Sequence, residues 1–141
     1  MIKNQISSLD MHFLLKETEI LKDARFDKVY HPEKDTFVFS FYKSGSGKLL
    51  LKVFVGHIFF ICKEKEEYRE ISGFGMLLRK HLNGYFIEDV EQIKPERILK
   101  LSFKLKDIKK KVYFEFFGKG NVILCDQDDV IINSLEHHEF K

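Results

Sequence analysis

The stretch Phe74–Gly84, FGMLLRKHLNG, decides how the chain is read. Ser72 stands where an N-cap hydroxyl accepts the first free N–H groups of a helix, and Gly84 after Asn83 supplies a C-terminal stop. Met76, Leu77, Leu78 and Leu82 form an apolar stripe at helical spacing. Arg79, Lys80 and His81 are consecutive, so they fan out across the helix surface and cannot all be buried. The spacing predicts a helix over 73–83. A helix this short needs a sheet to pack on.

The flanking sequence supplies that sheet. In Glu96–Lys106, ERILKLSFKLK, Leu99, Leu101, Phe103 and Leu105 face one way, while Lys100, Ser102, Lys104 and Lys106 face the other. Thr36–Tyr42, TFVFSFY, is rich in β-branched and aromatic residues. Further strands are predicted at Arg25–Tyr30, Lys48–Val55, His57–Cys62, Tyr85–Ile93, Lys111–Phe117, Asn121–Cys125 and Val130–Leu135. His31–Asp35 reads as a turn, because proline does not extend a central strand. Turns are also predicted at Ser44–Gly47, Asp107–Lys110, Gly118–Asn121 and Asp126–Asp129, and Lys63–Glu70 reads as a solvated charged loop. Ser7–Leu21 is the first helix, with capping-box spacing between Ser7 and Asp10 and an inward face of Leu14, Leu15, Ile20 and Leu21. The pattern predicts an α+β fold: two helices, near 8–21 and 73–83, on antiparallel sheets. Phe37, Phe39, Leu101, Phe103, Phe114 and Phe116 fall in its core.

Length and composition bound the rest. The 141 residues fit one domain, 1–141, that needs neither disulfides nor metal to fold. A hydrophobic fraction of 44% beside a charged fraction of 33% is ordinary for a water-soluble protein. Fifteen Phe with no Trp suit the core of a sandwich or barrel. No apolar run is long enough to span a membrane, and MIKNQISSLD lacks the apolar block of a secretory signal. Cys62 and Cys125 each end an apolar run, outside any C-x-x-C pair, so free buried thiols in a reducing cytoplasm are expected. The chain stops after Leu135–Lys141 with no cap or terminating turn, as expected of an N-terminal fragment of a longer protein.

Net charge is +2, but its distribution is uneven. Residues 79–119 hold 11 Lys and Arg against 6 Asp and Glu, a balance of +5; the remainder holds 13 against 16, a balance of −3. Either solvated strand faces with a Lys-rich turn, or a surface for a polyanion, accounts for this. The six His are scattered, and His137-His138 at the end are adjacent and chelate poorly, so no metal site is expected. No G-x-S-x-G elbow or phosphate-loop frame is present. Taken structurally, Asp10 is a cap and Glu96-Arg97 a surface ion pair of little energetic weight.

Five motifs in order, SSLDMHFLL, RFDKVYH, GMLLRKHL, ERILKLSF and EFFGKGNVILCD, resemble the N-terminal domain of the NFACT family, which includes NEMF of eukaryotes, bacterial FbpA-type proteins and archaeal relatives. The resemblance runs from Ser7 to about Leu135. It implies a ribosome-associated quality-control module that binds the large ribosomal subunit and recruits tRNA for untemplated tailing of stalled chains. It also implies an antiparallel β-sandwich with two flanking helices, like the N-terminal domain of formamidopyrimidine-DNA glycosylases. The family's acid in the first helix falls on Asp10, and its Asp-Arg pair falls on Glu96 and Arg97. This chain departs from the pattern at 96, where glutamate keeps the charge and extends the reach by one methylene.

The glycosylases' own catalytic N-terminal Pro-Glu pair is absent, since the chain begins Met1-Ile2-Lys3, so no enzymatic activity is expected. On this reading Arg79, Lys80, Arg97 and Lys119 contact phosphates of tRNA or rRNA, while Asp10 and Glu96 orient a nucleotide or an arginine. No cofactor, membrane or small-molecule substrate is implied. The rival class is a protein-interaction module, as in the fibronectin-binding role attached to some bacterial relatives.

Overall fold

A computed structural model describes residues 7–63, 71–94 and 96–136, apart from the side chain of Ser8. The charged loop read at Lys63–Glu70 lies almost wholly outside the described residues, as do Met1–Lys3, Pro95 and His137-His138.

The chain opens with α1 (Ser8–Thr18), extended by a 3-10 turn over Glu19–Leu21. The capping box is present: the Asp10 N–H donates to Ser7 Oγ at 3.0 Å, and Asp10 Oδ2 accepts from the Ser7 N–H at 3.5 Å. Met11, Thr18 and Leu21 are fully buried, and Leu14, Leu15 and Ile20 pack half-buried against the core. Four strands follow: β1 (Arg25–Glu33), β2 (Thr36–Lys43), β3 (Gly47–Phe54) and β4 (Ile58–Cys62). Then come α2 (Gly73–Leu82) and β5 (Phe86–Ile93), β6 (Ile98–Leu105), β7 (Ile108–Glu115), β8 (Asn121–Asp126) and β9 (Ile131–Ser134).

Among the described residues every strand pair is antiparallel, in the order β4-β3-β2-β1-β5-β6-β7-β8-β9. The fold class is α+β. Two meanders, β1–β4 and β5–β9, are joined by a narrow ladder in which Arg25 pairs with Phe86. Their apolar faces meet: Phe39 lies edge-on to Phe114 at 5.5 Å, Phe59 contacts Phe116 at 5.1 Å, and Phe26 and Phe41 meet Phe103. The six core residues expected from alternation are all buried. β1 and β5 part beyond Arg25, and α2 packs against β1 with Leu78 and Leu82 in the core. Ser72 caps α2 through the Gly75 N–H at 3.0 Å, and Gly84 turns the chain at φ +83°. Ser72 is itself held by His31, which stacks on Phe37 with ring centroids 4.0 Å apart.

Three expectations need correction. β1 runs on through His31-Pro32-Glu33, so only Lys34-Asp35 forms the turn. The pairing with β2 slips between Tyr30 and Glu33, which places the proline where the ladder is already interrupted. Met76 is 61% exposed. It lies four residues before Lys80 on the solvent face, while Gly75, Leu78 and Leu82 form the inner stripe. The hairpin after β6 is two residues, Lys106-Asp107, with Lys106 at φ +54° and Ile108 already paired with Leu105.

Candidate nucleic-acid interface

Three of the residues singled out by sequence lie in two loops that the fold ties together. Glu96 and Arg97 close the β5–β6 loop, and Lys119 sits in the β7–β8 turn. The Arg97 carbonyl accepts from the Phe116 N–H at 2.8 Å, and the Phe117 carbonyl accepts from the Gly120 N–H at 2.9 Å, closing the turn that carries Lys119. That turn rests on the β3–β4 turn. A Cβ at Gly56 would lie 3.0 Å from the Lys119 carbonyl oxygen, so the two backbones touch there. The β3–β4 turn is bonded in turn to β1–β2, through the Val55 N–H and the Asp35 carbonyl at 2.7 Å. Four loops therefore form one connected end of the domain. Glu96 and Lys119 are exposed on it, and Arg97 is half-buried.

The other three residues are on the helices. Asp10 is in the first turn of α1, where it completes the cap. Lys80 is exposed on α2. Arg79 points inward: its Nε donates to the Val29 carbonyl at 2.9 Å, and its guanidinium lies 5.0 Å from the Tyr30 ring centroid. That Nε is committed to holding α2 against β1. His57, exposed beside the contact with Lys119, is not among the residues singled out by sequence. Its only sequence signal is that it follows the strand-breaking Gly56.

The outer face of β5–β7 carries the remaining basic excess. Lys104 stands directly opposite Lys109 across the β6–β7 ladder, an arrangement that repels unless neutralised. Glu88 neutralises it, at 3.8 Å from Lys104 and 3.3 Å from Lys109. Lys100 pairs in register with Glu91, and Lys111 lies 3.1 Å from Asp129. A shallow groove of about 350 Å³ between these rows is thus bordered by both signs of charge. The Tyr113 hydroxyl donates to Asp129 at 2.5 Å. That bond holds the Asp129 carboxyl below its usual range, while burial and the same bond push Tyr113 well above its ordinary value. Burial, followed by Lys110 and Lys80, holds the His81 imidazole below its usual range; Lys110 also donates to the His81 carbonyl at 3.0 Å.

Cys125 is buried and Cys62 half-buried, both as free thiols. Burial raises the Cys125 thiol, as do Asp129 and Asp126. Among the described residues no three His, Cys, Asp or Glu side chains approach closely enough to hold a metal ion, and no helix is long and apolar enough to cross a membrane.

The geometry describes an antiparallel α+β domain whose linked turns present charged side chains at one end. Comparison with known proteins agrees on what kind of domain this is. Residues 7–141 match the family described as NFACT N-terminal and middle domains, and the chain belongs to that family. It is 33% identical over 129 residues to the Rqc2 homolog RqcH of Bacillus subtilis, covering 84% of this chain and 23% of that protein. It is 26% identical over 140 residues to the archaeal Rqc2 homolog aRqcH of Methanocaldococcus jannaschii, covering 95% and 21%. The chain thus spans under a quarter of these relatives' length. Among solved structures, the N-terminal domain of the fibronectin-binding protein PavA from Streptococcus pneumoniae matches with a TM-score of 0.84 at 23% identity, over 96% of this chain and 58% of that one. This last likeness shows the fold alone.

Proposed function

We propose that this domain is the RNA- and ribosome-binding module of a cytoplasmic ribosome quality-control factor. It binds the large ribosomal subunit and tRNA, and within its full-length protein it supports tRNA recruitment for C-terminal tailing of stalled chains. Membership of a family whose relatives are named as Rqc2 homologs supports the setting. The observation that carries the residue-level reading is the linked end, where the Arg97 carbonyl, the Phe116 amide and the Lys119 turn form one unit. Arginine's planar fork suits a phosphate or a base edge, Lys119 adds a point charge, and Glu96 beside them rejects a wrongly placed phosphate or orients a donor. Asp10 and Lys80, on the two helices, are read as further contacts to the same ligand. On this reading the domain acts by binding rather than by catalysis, and the likeness to glycosylase N-terminal domains that the sequence implies extends to fold and not to the Pro-Glu chemistry.

The test is co-sedimentation of the chain, and of the full-length protein, with large subunits carrying tRNA at 50 and 200 mM monovalent salt. Each phosphate contact releases a counterion, so affinity falls steeply with salt if the reading is right. A second reading, a protein-interaction module, is favoured by the likeness, at 25% identity and a TM-score of 0.81, to the N-terminal part of the fibronectin/fibrinogen-binding protein of Streptococcus suis. It predicts binding to fibronectin with little salt dependence and no retention on ribosomal subunits.

A further inference from the structure

We propose that the β3–β4 and β7–β8 turns form a single composite site for an unpaired RNA nucleotide, set by a glycine–glycine contact between them. Lys119 holds the phosphate, and His57 and Phe117 offer flat faces to the base. The inference rests on the RNA-binding reading above and assigns part of that surface.

The contact between the turns is closer than any side chain permits. A Cβ on Gly120 would lie 2.3 Å from the Gly56 nitrogen and 2.6 Å from its Cα. The reciprocal Cβ on Gly56 would lie 3.0 Å from the Lys119 carbonyl oxygen. Both residues also adopt left-handed backbone, at φ +77° and +82°, which side chains rarely adopt. Two independent constraints, sterics and φ, therefore require glycine at both positions. Gly45 in the β2–β3 turn provides the contrast: its φ is +86°, yet nothing lies within 4 Å of its Cβ position. Only at Gly56 and Gly120 does the missing side chain bring two loops together.

The chemistry at this contact suits an unpaired nucleotide. Residues 55–57 and 117–120 include no acid. His57 and Lys119 are exposed, one residue to either side of the contact, and Phe117 is half-buried. A cation on one turn and a flat ring on each turn fit single-stranded RNA, whose bases are free to stack; a duplex offers its phosphates but keeps its bases paired. The glycine contact fixes the two backbones that carry the cation and the rings before the ligand arrives, which lowers the ordering cost of binding.

The experiment titrates the chain with a labelled single-stranded oligoribonucleotide and with the matching duplex, from 50 to 200 mM salt. His57→Ala should weaken single-strand binding about tenfold and leave duplex binding nearly unchanged. Lys119→Ala should reduce the slope of log affinity against log salt by about 0.7. Gly120→Ala should produce both losses, and adding Lys119→Ala to it should change little further, because the two act as one unit. Gly45→Ala, equally strained but remote, should bind as the parent does. Parental affinity in either folded Gly120→Ala or His57→Ala, or equal losses on single strand and duplex, overturns the composite site. Should Gly120→Ala not fold, His57→Ala decides alone. Those results beside intact, salt-sensitive tRNA binding would remove only this inference; a parent chain that binds no RNA at all would remove the proposed function with it.

Discussion

Arg79 tests whether a basic residue on α2 serves the fold or a ligand. In Arg79→Ala three interactions change together. The Nε donor 2.9 Å from the Val29 carbonyl is lost, and Val29 is fully buried, so the carbonyl is stranded at a cost of about 1–3 kcal/mol. The guanidinium 5.0 Å from the Tyr30 ring contributes about 0.5–1 kcal/mol at a half-buried site. The arginine stem no longer covers the seam between α2 and β1. Together these predict a destabilisation of about 2–4 kcal/mol, out of a total on the order of 10 kcal/mol for a domain of this size. At about 3 °C per kcal/mol the melting temperature should fall by roughly 6–12 °C. Chemical denaturation measured beside tRNA binding separates the roles. Arg79→Lys keeps the charge without the planar fork, so it should lose at least half as much stability and retain most of the affinity. If Arg79→Ala melts with the parent while tRNA affinity falls at least tenfold, the inward-facing account is wrong and the residue belongs to the ligand surface.

The remaining predictions are more local. Arg97→Ala and Glu96→Ala should each shift unfolding by no more than about 1 kcal/mol, as expected for groups near solvent, yet impair tailing in the full-length protein; normal tailing in both removes them from the surface. Ser7→Ala should destabilise by about 1 kcal/mol and Asp10→Ala by less, because the Asp10 half of the capping box is the long one; a larger loss in Asp10→Ala, read by thermal unfolding, would show that its main work is structural. Tyr113 has a raised pKa in the fold, so its contribution to stability is complete below about pH 10 and is lost as pH rises beyond that value. Tyr113→Phe should therefore flatten the alkaline decline of stability, and an unchanged pH profile would show that Tyr113, held neutral by burial and by its bond to Asp129, is not the source of that decline.

Much of the fold was legible because binary alternation is a local property. Leu99, Leu101 and Phe103 announce a half-buried strand from their own spacing, and burial follows whatever the partner strand is. The capping box at Ser7–Asp10 was legible for the same reason. Pro32 was misread because the rule against proline in central strands assumes ladders on both sides. β1 has no β5 partner that far along, and its register with β2 is already broken there. Met76 was misread because hydrophobicity was counted without phase: the inner face of α2 uses Gly75, a residue with no apolar side chain to count. Arg79 shows a similar limit. Three consecutive polar side chains, two of them cations, state that some must be exposed, but the choice of which turns inward depends on a carbonyl fifty residues earlier in sequence.

The linked end was the least legible part, since the bonds that build it span long separations. Arg97 meets Phe116 across nineteen residues, and Gly56 meets Gly120 across sixty-four. The sequence marks both glycines only as turn formers, a role that Gly45 and Gly47 share. What separates them is the absence of space. Gly45 and Gly47 border open solvent, whereas Gly56 and Gly120 border each other. The Phe-rich interior holds the two meanders together along their length, but interior packing alone leaves their end loops to move independently. A contact that excludes even a methyl group removes that freedom where exposed Lys119 lies. On the proposed RNA-binding reading, two turns held together in the unbound domain have less freedom to lose when a ligand arrives, which contributes to affinity without adding a single contact to the ligand.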